Sequence, residues 1–464
     1  MTEEEKIIDF ALSARYEDLP QEAVDGVKSL IFNSIAAMLA GTEADGVKEL
    51  SQLIERWGGS QESTVFLHRL KVPAHVASMV NAVMIRALDF DDFHMQTGMH
   101  TGAIVVPTAI AAAELKGTTQ GKEIINAIAL GAEILCRMRL VPDRCIGVSG
   151  WTGEIYGGFG GAITAGRILD LTKDEMLNAL GLVYSQASGN AQTIYEGVLA
   201  TRLQQGFSAR AALFSTSLAT AGLTGVKRFL AGKAGLYPTY YRGLDYDISR
   251  LTDGLGKRYE FLNLATKQYP CCGFLMSPIE NILGIIKTNN ISCEDIKQIV
   301  VRVNEQMYNT VCFPLKNKYQ PQTPADAMFS LPYVLSTAIV NGDVMLEDFS
   351  TEAIHDPRRL KLAKRIEIEI DEDIDRESKE LNLPLALHEI QLTTKGENCF
   401  SHKKYHARGF PEKPMTIEDF SRKIKKCAPF AVRPYSEDNV ESLIHIVKNL
   451  ESYIEIQQLI DLLY

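Results

Sequence analysis

The apolar residues of this chain change their period once, and that change limits the folds open to it. Before Tyr269-Pro270 they recur at helical spacing, as in Val24, Val27, Leu30, Ile31 and Ile35, then Ala74, Ala77, Val80 and Val83, and again from Gly121 to Leu140. Beyond Tyr269-Pro270 they alternate from Ile299 to Val303 (IVVRV), from Arg365 to Ile374 (opening RIEIEI) and from His388 to Thr394. Alternation is the pattern of half-buried strands. Helical segments, Ala325 to Val340 and Glu352 to Lys364, lie between them. Gly409, Pro411 and Pro414 mark a second boundary, and Thr416 is placed to cap a return to helix that ends with Asp438 to Leu463. The expectation is a mainly α protein with an all-α domain and an α+β domain, since 464 residues exceed one ordinary core.

Composition removes several function classes. A net charge of −10 argues against nucleic acid, which needs a basic face. The acidic start, MTEEEKIIDF, is unlike a targeting segment, so the cytoplasm is expected. No apolar run approaches the roughly 20 residues that span a bilayer, and Ala103 to Ala113 is broken by Pro107. No membrane partner is expected. The eight cysteines include no C-x-x-C pair, so they are expected to be free thiols packed as small apolar groups.

Chemistry concentrates in Ala87 to Glu114, ALDFDDFHMQTGMHTGAIVVPTAIAAAE. Asp89, Asp91, Asp92, His94 and His100 fall within twelve residues and are followed by a run of small and β-branched residues. Asp89 and Asp92, three apart, share a face if the segment is helical. Paired carboxylates push one pKa up, and an imidazole beside a carboxylate is a common acid/base arrangement. Helix capping by the aspartates is the plainer reading. A metal site is a third, although no third ligand is evident and none is expected.

Elsewhere, Gly147 to Gly166 is glycine-rich but has neither G-x-G-x-x-G nor GK[ST]. Close helix packing through Gly158, Gly161 and Ala165 fits it better. Arg202 lies in TRLQQG, within a stretch poor in charge, and is a candidate to hold a carboxylate. Lys267 precedes Tyr269-Pro270-Cys271-Cys272 at the domain boundary. The run Asp371 to Lys379 reads as a solvated connection.

LDFDDFH with a following His, VVPTAIAAAE, ALGLVYSQASGNAQ, GFSARAALFSTSLATAGLTG, KQYPCCG and FSLPYVLSTAIVNG together resemble the MmgE/PrpD family. That family includes 2-methylcitrate dehydratase, cis-aconitate decarboxylase and iminodisuccinate epimerase. The resemblance implies a large all-α helical domain, 1–268 with 411–464, plus a smaller α+β lid domain, 269–410. It implies a homodimer with no cofactor and no metal, acting on a small di- or tricarboxylate. By position, Asp89, His100 and Lys267 take the catalytic places, and Arg202 stands where relatives have lysine. Asp92, Glu154 and Tyr269 are expected to bind substrate. Phe93, Thr152 and Met276 depart from the family pattern, and Glu154 is a new carboxylate.

The implied chemistry is proton transfer at a carbon α to a carboxylate. His100 is expected to exchange the proton, with Asp89 orienting the imidazole. Dehydration is the favoured outcome, on family frequency. Epimerisation or decarboxylation is the alternative, and a non-catalytic anion-binding scaffold is the reading from another class.

Overall fold

The computed structural model describes residues 1–143, 150–381, 387–404 and 406–464, Tyr195 without its side chain. It is mainly helical and divides into two compact units, Met1–Leu264 with Met415–Tyr464, and Ala265–Pro414.

In the first unit, α1 (Glu3–Ser13), α2 (Gln21–Gly41), α3 (Val47–Trp57) and α4 (Ala74–Arg86) come first. A small antiparallel pair, β1 (Ser63–Val65) and β2 (Leu70–Val72), separates α3 from α4. A short strand, β3 (Asp92–His94), then leads to α5 (Gly102–Lys116), α6 (Gly121–Leu140), α7 (Glu154–Ile168), α8 (Lys173–Tyr184), α9 (Gln192–Glu196) and α10 (Ala200–Thr220). Helices α4, α5, α6, α7 and α10 pack on one another.

Helix α2 is long and apolar enough to cross a membrane, which the sequence reading overlooked; 83% of its apolar window is buried in the unit, the behaviour of a core helix. Helix α5 runs unbroken through Pro107. It is buried from Gly102 to Ala113, and that packing outweighs the roughly 3 kcal/mol cost of an internal proline.

The expected close approach of small residues is present in α7. A Cβ at Gly161 would lie 2.7 Å from the Ala212 methyl, and one at Gly158 would lie 2.8 Å from Val183. Residues 147–149 of the glycine-rich stretch lie outside the described residues.

The chain returns to this unit through Ile417–Cys427, capped by Thr416 as expected, and its Phe420 stacks on Phe32 of α2 with ring centroids 5.4 Å apart. The expected single helix from Asp438 to Leu463 is two, Glu437–Lys448 and Gln457–Leu463. Asn449 leaves the helical region and lets the chain turn. The last turn is tied back where the Leu67 amide donates to the Leu463 carbonyl at 2.7 Å.

Strand β4 (Leu264–Thr266) opens the way to the second unit. There β5 (Ile296–Val303), β6 (Ile366–Ile370), β7 (His388–Thr394) and β8 (Cys399–Lys404) form one sheet in the order β6-β5-β7-β8. The β5–β6 pair is parallel and the other two are antiparallel. Every second residue of β7 is buried, as its alternation predicts.

The strand expected from Arg365 to Ile374 ends at Ile370. Asp371 accepts from the Asp373 and Ile374 amides and starts a helix, Glu372–Glu380, so the polar run is not a simple connection. Glu352 to Lys364 is likewise not one helix: Pro357 opens Pro357–Ala363, with Asp356 as cap. Ala325 to Val340 is split at Phe329, where Ser330 caps Leu331–Asn341. Cys136, Cys271, Cys272, Cys312 and Cys427 are buried, as expected of packed cysteines, but Cys399 is exposed, and Cys145 lies outside the described residues.

Candidate active site

Helix α4 carries no charge until its last residue, Arg86. Asp89 then adopts φ +50°, a left-handed conformation that costs an L-residue about 1 kcal/mol. The segment is therefore not helical, and Asp89 and Asp92 do not share a helix face. The turn instead brings the Asp89 carboxylate back over the helix end, where Arg86 Nη1 donates to Oδ1 at 2.7 Å. Arg86 Nη1 is also 3.8 Å from Asp91 Oδ1. Burial alone would lower the Arg86 pKa; the charges of Asp89, Asp91 and Glu154 outweigh it and raise it.

Asp92 opens β3 and serves the next element. Its carboxylate accepts from the Thr101 amide at 2.9 Å and from the Gly102 amide at 3.0 Å, so it closes the exposed end of α5. Burial and the neighbouring Asp91 push its pKa up to about 6, against the pull of those amides. The plain reading, capping, holds for Asp92.

The two histidines of the stretch part company. His94 is fully buried, and burial pulls its pKa down to about 4 despite the opposing charge of Glu260. It is neutral near pH 7 and belongs to the core. His100 follows the turn at Gly98 (φ +64°), as expected, and stays partly accessible. Its Nδ1 lies 3.0 Å from Asp91 Oδ2 and 2.8 Å from the Asp92 carbonyl. The Asp92 carbonyl accepts from Nδ1, which places the proton there and leaves Nε2 as the basic nitrogen, while the Asp91 carboxylate lies at ion-pair distance. The carboxylate 3.0 Å from His100 Nδ1 is thus that of Asp91, while Asp89, in the same cluster, accepts from Arg86.

Two further elements supply polar groups. Glu154, the first residue of α7, is buried, and Gln205 Nε2 of α10 donates to its Oε1. The Ser208 hydroxyl holds the Glu154 carbonyl at 2.9 Å. Arg202, on the first turn of α10, donates from Nη1 to the Asp45 carbonyl at 2.8 Å and holds no carboxylate bidentately. Burial and then the Arg86 charge lower its pKa, opposed by Asp45 and Asp89.

The first unit thus brings together Asp89, Asp92, His100, Glu154 and Arg202. Lys267 and Tyr269 belong to the second unit, where Lys267 is buried rather than solvated and burial followed by Asp343 raises the Tyr269 pKa.

Asp89, Asp91 and His100 offer three ligand-type atoms within 4.8 Å of one another, so a third metal ligand does exist. The charge there is already met, because the Arg86 guanidinium lies against both carboxylates. A divalent cation would sit beside that fixed positive charge, so the residues fit an acid/base site better than a metal.

The MmgE/PrpD N-terminal domain model matches residues 5–249 and the C-terminal domain model matches residues 269–451. The chain belongs to the MmgE/PrpD family. It is 25% identical to a cis-aconitate decarboxylase of Aspergillus terreus, over 99% of this chain and 95% of that protein. It is 25% identical to the cis-aconitate decarboxylase of Homo sapiens, over 93% and 88% of the two chains. The mouse protein of the same name is 24% identical over 91% and 86%.

Arg86 is the group sequence reasoning passed over, and Asp91, named in the cluster, was given no role of its own. A lone arginine closing an otherwise uncharged helix, AHVASMVNAVMIR, was the available signal.

Proposed function

We propose that this protein is a lyase-type enzyme that moves a proton at the carbon α to a carboxylate of a small di- or tricarboxylate. The observation that carries the reading is His100, held at Nδ1 by the Asp92 carbonyl beside the buried Asp91, with Nε2 left to take a proton. Asp91 stabilises the imidazolium that results, and Arg86 and Arg202 supply the positive charge that a carboxylate and its enolate-like intermediate need. Asp89 positions Arg86. Lys267 and Tyr269 are assigned to substrate on the family resemblance alone.

Dehydration is the proposed outcome: the C–H bond gives its proton to Nε2, the C–O bond breaks, and hydroxide leaves as water after taking a proton. Decarboxylation is the second reading, carried by the names of the relatives. There the C–C bond breaks, CO₂ leaves, and the carbon takes a proton from His100. The two differ in the starting state of the imidazole, neutral for loss of water and protonated for loss of CO₂. Their rates should therefore respond to pH in opposite senses. Incubating the protein with hydroxylated and unsaturated di- and tricarboxylates in D₂O, followed by NMR and CO₂ detection, separates them. Deuterium uptake without either loss would indicate epimerisation. His100→Ala should lower turnover at least ~10²-fold; near-normal turnover would remove His100 from the mechanism.

A homodimer is part of the same proposal. Phe207 and Phe214, both exposed on α10, offer an apolar face for it. Light scattering of Phe214→Glu against the unchanged protein tests this, and an unaltered mass would exclude that face.

A further inference from the structure

The corner of the site around Glu154 contains groups that the proton-transfer step does not use. Gln205 is 2% exposed, and its amide nitrogen is committed to the Glu154 carboxylate. Because that nitrogen must face the carboxylate, Oε1 is fixed at the other end, where it is buried without a hydrogen-bond partner. Its neighbour Gln204 differs: Oε1 accepts from the Asn190 amide at 2.5 Å and Nε2 donates to the Thr193 hydroxyl at 2.9 Å.

One more buried atom at this corner, Thr152 Oγ1, has no hydrogen-bond partner, and neither has Nε of the buried Arg86. A Cβ added at Gly189 would lie 2.6 Å from Thr152 Oγ1 and 3.0 Å from Glu154 Cβ, so these two side chains are neighbours. Glu154 in turn acts on Arg86 through its charge. A buried polar atom left unpaired costs about 1–3 kcal/mol, so the two beside Glu154 point to a ligand that pairs them.

The chemistry of the corner selects what that ligand presents. Glu154 and Gln205 Oε1 are acceptors, and a carboxylate placed there would meet the Glu154 charge. A hydroxyl can donate to either acceptor. Arg86 Nε, a donor, suits the carboxylate next to it.

We propose that Glu154 and Gln205 form a hydroxyl-recognition subsite, so that the substrate is a hydroxy-substituted di- or tricarboxylate with its hydroxyl at this corner. The inference rests on the proposed function and narrows its substrate class. Glu154 and Gln205 are specificity-determining residues that act through binding.

The test is binding by calorimetry of L- and D-malate against succinate, and of citrate against tricarballylate. The members of each pair differ only by a hydroxyl. The hydroxylated member of at least one pair should bind about tenfold tighter or more, the scale of a hydrogen bond to a buried charged group. Glu154→Gln and, independently, Gln205→Met should reduce that preference to about twofold or less. Equal binding within both pairs, or variants that weaken both members alike, overturns the subsite and leaves the proposed function standing. If none of these anions binds the unaltered protein, the proposed function falls together with the inference.

Discussion

Glu133 and Arg137 sit one turn apart on α6, both without exposed surface, while Arg86 and Asp89 sit three residues apart at the end of α4, also buried. The first pair is closed. Arg137 Nε donates to Glu133 at 2.5 Å, and its two amino groups donate to the Asp253 carbonyl at 2.6 Å and the Arg258 carbonyl at 2.7 Å. Glu133 also accepts from the Phe261 amide at 3.2 Å. The second pair is open: Arg86 Nε has no hydrogen-bond partner, and a second carboxylate, a histidine and Glu154 crowd around it. Two ion pairs with the same charges and similar burial therefore do different work. One fastens the 250–261 segment to a helix, and the other lies among the carboxylates and the histidine of the candidate site.

That contrast can be broken by measurement. Arg137→Ala strands Glu133 and removes the fastening, so it should destabilise the protein by about 3–5 kcal/mol in chemical denaturation. A loss below about 1 kcal/mol would mean that the closed pair is not structural. Asp91→Asn should do the reverse. Its amide can turn a donor toward His100 Nδ1 and so favour the other tautomer, lowering turnover roughly 10²-fold or more with little change in the unfolding midpoint. A large stability loss with normal turnover would assign Asp91 to structure.

The two histidines sharpen the same distinction through pH. His94 has a folded pKa near 4 against an ordinary 6.5, so the unfolded chain binds more protons between those values. Its contribution to stability is intact above about pH 6.5 and is lost progressively as pH falls toward about 4. His94→Gln should flatten stability against pH across that window, whereas His100→Ala should change turnover. The smallest effect is expected at Asp92. Its folded pKa, near 6, is raised from 3.8, so its ionisation destabilises the fold as pH rises through that interval. Asp92→Asn removes that slope while giving up part of the cap on α5, a net change of about 1 kcal/mol at neutral pH.

Much of this architecture was legible in the chain. The change of apolar period marked the β5–β7 region, and Thr416 announced the return to helix. What failed did so for local reasons. Asp371 and Asp356 cap short helices that a polar run and a mixed segment conceal, because one hydrogen bond from a carboxylate is invisible to periodicity. In the site, helical spacing suggested Asp89 with Asp92. The left-handed turn at Asp89 separated them, sending Asp89 to Arg86 and Asp92 to α5, and left Asp91 for His100. A sequence shows which acids are near one another along the chain. It does not show which way a turn will hand them out.

The glycine face of α7 has a consequence for how such a site can be altered. A Cβ added at Gly161 or Gly158 would crowd Ala212 or Val183, so that face of α7 is packed too closely to take larger residues. A laboratory search for new substrates should leave the body of that helix alone and vary positions 152, 154 and 205 instead.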